Sequence, residues 1–262
     1  MIFDDRACIL GEGPLWHPAR EQLFWFDIKS KRLLTRDGNQ PRDWQFDHHV
    51  SAAGWVDHDT LLIASEVALL RFHIPTGESE HVVPLEADEP VTRSNDGRAD
   101  PYGGFWIGTM GKELEPGAGA IYRFYKGRLE VLYQDITISN AICFAPDGRT
   151  AYYTDTPTGT VMRQPLDGEG WPEGAAEPFV RLDGPDGAVV DADGCLWVAQ
   201  WGASRVVRFG PDGNLLSHVD LPASQVTCPA FAGTTLHVTS AAEGVDEEHG
   251  GKTFAIDVGV QG

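Results

Sequence analysis

A repeat constrains this chain more than any other feature. Short apolar segments rich in aromatic and β-branched residues lie at 23–28 (LFWFDI), 61–65 (LLIAS), 105–110 (FWIGTM), 151–155 (AYYTD), 196–200 (LWVAQ) and 236–240 (LHVTS). Each follows a turn built from Gly, Pro or Asx residues, the chemistry of a hairpin. Ahead of each turn a further strand-like segment opens at Glu12, Ala52, Asn95, Asn140, Asp186 and Cys228, with spacings of 40, 43, 45, 46 and 42 residues. Each unit has room for four strands, and the period is that of a propeller blade. No long segment carries a helical period. The fold expected is therefore all-β: a six-bladed β-propeller with four antiparallel strands per blade, one domain over residues 1–262. A sandwich rarely keeps so long and regular a period. The sixth unit runs out one strand short after residues 253–258 (TFAIDV), while residues 2–10 precede the first unit. The simplest closure pairs these two, so that the N-terminal segment completes the last blade.

Charge narrows the partners. Twenty Lys and Arg against 39 Asp and Glu give a net charge of −19, which repels phosphate backbones and anionic lipid alike. Nucleic acid and membrane surfaces are not expected partners. No apolar run approaches the roughly 18–20 residues of a membrane span, and the acidic start MIFDDRACIL lacks the character of a signal peptide. A cytoplasmic protein, monomeric or a weak homo-oligomer, is expected. Four cysteines without C-x-x-C spacing read as small buried hydrophobes.

In a propeller the first strand of each blade lines the central channel. Antiparallel pairing puts the start of that strand, the end of the second and the loop that follows on one face. That face receives Glu12, Asn95, Asn140 and Asp186, with two long insertions at 111–119 (GKELEPGAG) and 241–251 (AAEGVDEEHGG). Long loops above a concave site are commonly functional. Two carboxylates and two amides in a narrow channel lose hydration that something positive must offset. Arg93 is the nearest cation in the pattern, and a divalent metal is the other candidate. All-oxygen donors favour a hard ion such as Ca²⁺, Mg²⁺ or Mn²⁺.

Other signals are weaker. The nine histidines show no metal-binding spacing and read as surface residues; the acids of residues 243–248 (EGVDEE) read as a solvated loop. No G-x-S-x-G elbow occurs. Trp106 and Trp197 read as core, and Trp201 is open between core and pocket rim.

Residues 10–16 (LGEGPLW), 93–100 (RSNDGRAD), 108–110 (GTM), 138–140 (ISN) and 185–187 (PDG) ahead of 196–199 (LWVA) together resemble the senescence-marker-protein, gluconolactonase and luciferin-regenerating-enzyme family, the regucalcin-like sugar lactonases. The likeness runs from about Cys8 to Val258. It implies a six-bladed propeller that hydrolyses an aldono-1,4- or 1,5-lactone, such as a gluconolactone or pentonolactone, to the aldonic acid. It also implies one divalent ion in the channel, with Ca²⁺ first and Zn²⁺, Mn²⁺, Mg²⁺ or Fe²⁺ as alternatives. The metal ligands carried over are Glu12, Asn140 and Asp186, and the substrate contacts are Arg93, Asn95 and, in the inserted loop, Glu113. Ala141 stands where the family usually has Gly, and Gly184 replaces an apolar residue.

The expected mechanism has the ion polarise the lactone carbonyl and activate water, with Asp186 as the general base. Two other readings stay open: a non-catalytic divalent-metal-binding propeller scaffold, and a related propeller esterase or lyase.

Overall fold

The computed structural model describes residues Met1–Gly262. Its strands form six sheets of four, each in antiparallel order from the axis outward. Blade 1 runs through Gly11–His17, Gln22–Asp27, Arg32–Asp37 and Gln40–Gln45. The innermost strands of blades 2 to 6 are Val50–Asp57, Thr92–Ala99, Ser139–Phe144, Pro185–Val190 and Val226–Ala232. Each packs beside the next, and the last beside the first, so the ring is closed. No helix is long and apolar enough to cross a membrane.

Burial explains the apolar runs. Gln22–Asp27, Phe105–Gly111 and Leu196–Gln200, second strands of their blades, are buried along their whole length, covered on both faces by neighbouring blades. Outer strands such as Glu78–Pro84 and Leu215–Asp220 face water and are mostly exposed. Between blades 1 and 2 the core is Phe24, Phe26 and Leu33 against Leu61, Ile63 and Phe72. Each such side chain stabilises the fold by roughly 1.5–3 kcal/mol relative to exposure. All four cysteines are free and buried. Burial raises the Cys8 thiol to about 12 and the Cys228 thiol well above its ordinary range, so neither is a nucleophile. Two of the nine histidines depart from the expected surface placement. His17 is buried with Nε2 bonded to Asp57 O at 2.9 Å, and His237 is buried against Phe3 and Trp16.

The N-terminal strand Ile2–Asp4 pairs antiparallel with Thr253–Asp257 and completes blade 6, as the sequence pattern requires. A buried carboxylate secures this closure. Asp4 accepts from Arg6 Nε at 2.8 Å and Nη2 at 3.0 Å, and from Arg36 Nη1 of blade 1 at 3.1 Å. One side chain thus ties the last blade to the first. Both guanidiniums keep some solvent contact, so the full cost of breaking a buried pair is discounted. Asp4→Ala is expected to lower stability by about 2 kcal/mol, read as a fall in the urea midpoint without a change in slope. An unchanged midpoint would show that the strand pairing alone closes the ring.

Candidate active site

Every innermost strand carries a register slip near its start, among them those between Glu12 and Leu15, Ser94 and Gly97, Asn140 and Cys143, and Pro185 and Ala188. Such a bulge inserts a residue, bends the strand and re-aims the side chains around it. In blade 6 the slip lies between Val226 and Pro229, which puts Thr227 rather than Cys228 at the position of Asp186. Backbone space at the bulges is tight. A Cβ on Gly13, which sits at φ +54°, would collide with Ser51 O, and one on Gly187 would collide with Cys228 Sγ. Ala141 takes the same left-handed conformation at φ +55°, where its Cβ costs about 1–2 kcal/mol, a backbone reason for the glycine that the resemblance implies here.

The bulges bring four polar side chains to one cavity of about 220 Å³ on the propeller axis. Glu12, Asn95, Asn140 and Asp186 all line it, with Arg93 and Thr156, and each of the four is buried. Leu10, Met110, Leu114, Ile138 and Trp201 form its apolar walls, and Glu243 stands at its edge. A larger groove of about 330 Å³ opens between blades 1 and 2 around Trp44, Phe46 and Phe72, but it gathers no pair of carboxylates. The axial cavity, which gathers two carboxylates, is the candidate site.

A hydrogen-bond chain fixes this set across three blades. Arg93 Nη1 donates to Ser94 O at 2.9 Å and to Asn95 Oδ1 at 2.8 Å. Asn95 Nδ2 donates to Ser139 O at 2.8 Å and Asn140 Oδ1 at 3.1 Å. Asn140 Nδ2 in turn donates to Thr156 Oγ1 at 2.9 Å, and that hydroxyl donates to Pro185 O, one residue before Asp186, at 2.8 Å. Thr156 opens the one 3-10 turn of the chain, Thr156–Thr158. The amide hydrogens of Asn95 are spent on protein, which makes it a bracket between Arg93 and Asn140 and leaves only its Oδ1 to share with a ligand. Arg93 Nε is buried without a partner.

The charges are unbalanced. Burial, then the nearby charge of Asp96, raises the Glu12 carboxyl to about 8; Gly13 N–H bonded to Oε2 at 2.9 Å and the charge of Arg93 oppose this. Burial followed by the charges of Glu12 and Asp96 raises Asp186 well above the ordinary carboxylate range. Burial draws Arg93 down to about 10, against the pull of Glu12, Glu243, Asp186 and Glu66. Below the cavity Arg98 crosses the channel from blade 3, donating from Nε to Ile142 O at 3.2 Å and from Nη2 to Ala188 O at 3.0 Å. No side chain forms an ion pair with Glu12 or Asp186.

A hard divalent cation fits this donor set. No group of three His, Cys, Asp or Glu side chains is placed to hold a metal ion by itself, and the axial group is two carboxylates and an amide oxygen, all oxygen donors. The bond from Nδ2 to Thr156 fixes the amide so that Oδ1, which accepts from Asn95 and keeps a second lone pair, is the atom available to a cation. Three protein oxygens leave coordination positions for water and a ligand.

Two inserted loops reach the cavity, though not through every residue expected. Glu113 is exposed and outside the cavity lining, its N–H bonded to Glu115 Oε2 at 3.0 Å. Leu114, at a left-handed φ of +62°, is the residue of this loop that lines the cavity. From the second loop comes Glu243, which the acidic run had marked as solvated. Trp201 rims the cavity. Its N–H donates to Gly184 O at 2.8 Å, and Gly184, at φ +59°, lies where a Cβ would press on Trp201 O at 2.7 Å. Leu10 and Ile138 open the motifs LGEGPLW and ISN without a role read from them, and Thr156 carried no signal in the sequence.

Residues 10–242 match the family described as the SMP-30/Gluconolactonase/LRE-like region. An L-arabinolactonase of Azospirillum brasilense is 35% identical, over 97% of this chain and 90% of that protein. A 6-deoxy-6-sulfogluconolactonase of Pseudomonas putida is also 35% identical, over 97% of this chain and 93% of that protein. The crystal structure of a calcium-binding protein, regucalcin, from Agrobacterium tumefaciens str. C58 superposes with a TM-score of 0.97 at 39% identity, covering 100% of this chain and 94% of that one. With the fold, the axial cavity and these likenesses in agreement, the chain belongs to the SMP-30/gluconolactonase/LRE-like family.

Proposed function

We propose that this protein hydrolyses a sugar lactone to the aldonic acid, with one divalent cation held by Glu12, Asn140 and Asp186. The observation that carries the reading is the meeting, in one cavity, of two buried unpaired carboxylates, an oriented amide oxygen and an arginine with an unused Nε. Relatives named as lactonases across nearly the whole length support the same chemistry. A bound cation of this class polarises a carbonyl and acidifies water.

The side chains supply the rest. Arg93 donates from its free Nε to a ring hydroxyl and orients the sugar, while Asn95 holds Arg93 and Asn140 in mutual register. A substrate lacking that hydroxyl leaves a buried donor unpaired and is selected against. Asp186 takes the proton of the attacking water through the carboxylate oxygen that does not hold the cation. Water adds to the acyl carbon, the bond to the ring oxygen breaks, and that oxygen gains a proton. Leu10 and Met110, both buried, and Ile138 wall the reacting centre from bulk water on their side of the cavity.

Acid release from pentono- and hexonolactones, followed with a pH indicator after chelation and with single metals restored, tests the reading. Turnover that vanishes on chelation and returns with a divalent ion is expected; metal binding without acid release above the spontaneous rate would contradict it. Asp186→Asn is expected to lower kcat by about 10²- to 10⁴-fold, with circular dichroism unchanged.

Stability should report the same site. A carboxyl whose folded pKa lies above its unfolded value stabilises the fold while protonated, and that contribution is lost as pH rises toward the folded pKa. For Glu12 the window runs from 4.5 to about 8. The thermal midpoint of chelated protein is therefore expected to fall across this range. Added Ca²⁺ should raise the midpoint more at pH 8 than at pH 5, and Glu12→Gln should flatten the slope. A midpoint that rises across the window in chelated protein would refute the charge assignment.

A further inference from the structure

We infer that Glu243 sets the charge class of the substrate: it accepts a hydrogen bond from a neutral polyhydroxylated lactone and turns away lactones bearing an anionic group beside it. This rests on the lactonase reading and adds which lactones are taken.

Glu243 arrives from the loop after Thr235–Ser240, outside the repeating strands. Its backbone is anchored, with Ala241 N–H bonded to Gln225 O at 2.8 Å and Gln225 Nε2 bonded to Glu243 O at 3.0 Å. Lys29 of blade 1 approaches its carboxylate at 3.3 Å, but the two side chains are 32% and 46% exposed, so this pair cancels little of the charge. Glu243 and Arg93 line the same cavity without forming an ion pair. After Glu12, Glu243 is the carboxylate whose charge acts most strongly on Arg93.

The gap between them has a defined chemistry. A guanidinium only donates hydrogen bonds and an ionised carboxylate only accepts them. A hydroxyl, or a vicinal pair of them, satisfies both by accepting from Arg93 and donating to Glu243. A sulfonate, phosphate or carboxylate offers acceptors alone. It would satisfy Arg93 and set like charge against Glu243, beside Leu114 and Trp201 of the cavity lining.

The test compares a neutral hexonolactone with its 6-sulfonated analogue in wild type and in Glu243→Gln, which keeps shape and removes charge. Wild type is expected to favour the neutral lactone in kcat/KM by about tenfold or more, the scale of one like-charge contact. The variant should narrow that ratio about tenfold, through a lower KM for the sulfonated substrate. Added salt should narrow it in wild type. Calorimetry with the matching non-hydrolysable lactams reads the same preference without turnover. If wild type binds the lactams with the expected preference yet hydrolyses neither lactone, the lactonase reading fails and the role of Glu243 in charge selection stands. A ratio unchanged by Glu243→Gln, no preference for the neutral lactam, or no binding of either lactam overturns the inference.

Discussion

Two carboxylates buried in one cavity repel each other, and much of what surrounds this propeller axis answers that repulsion. Glu12 comes from blade 1 and Asp186 from blade 5, and burial weakens the hydration that would let both ionise. Arg93 enters from blade 3 and Arg98 passes beneath, yet neither closes an ion pair with either acid. The free energy of unbalanced charge is thus stored where a cation and a polar substrate can release it. A fold that buried these groups only for stability would have paired them.

Holding such a site open requires rigid supports. Asn95, Asn140 and Thr156 form a chain of hydrogen bonds from blade 3 to blade 5, so the spacing of the donors follows from the spacing of the blades. Blade spacing depends in turn on the closed ring, and hence on the strand Ile2–Asp4 and its buried carboxylate. Within each blade the bulge does the local aiming. Gly13 and Gly187 let backbones approach where a methyl would collide, whereas Ala141 accepts left-handed strain next to Asn140. Strain of this kind persists where the surrounding contacts over-determine the backbone.

The sequence made the periodic part of this legible and left the aperiodic part hidden. Second strands at 105–110 and 196–200 announced themselves because burial on both faces forces continuous apolar runs. Glu12, Asn95, Asn140 and Asp186 were legible because they recur at one phase of the repeat, and the cavity does gather them. Residues on inserted loops have no phase to read. Glu113 and Leu114 differ by one position, yet only Leu114 lines the cavity. Glu243 looked like any acid in a solvated run, since composition does not show where a loop folds back. His17 and His237 escaped for a related reason: their burial depends on ring neighbours from other elements, not on any local pattern.

Anomalous diffraction from crystals soaked in Mn²⁺ tests the central claim most directly. The account requires one strong peak on the axis, within about 2.0–2.6 Å of carboxylate oxygens of Glu12 and Asp186 and of Asn140 Oδ1. No peak there, or a peak only at the protein surface, would contradict it.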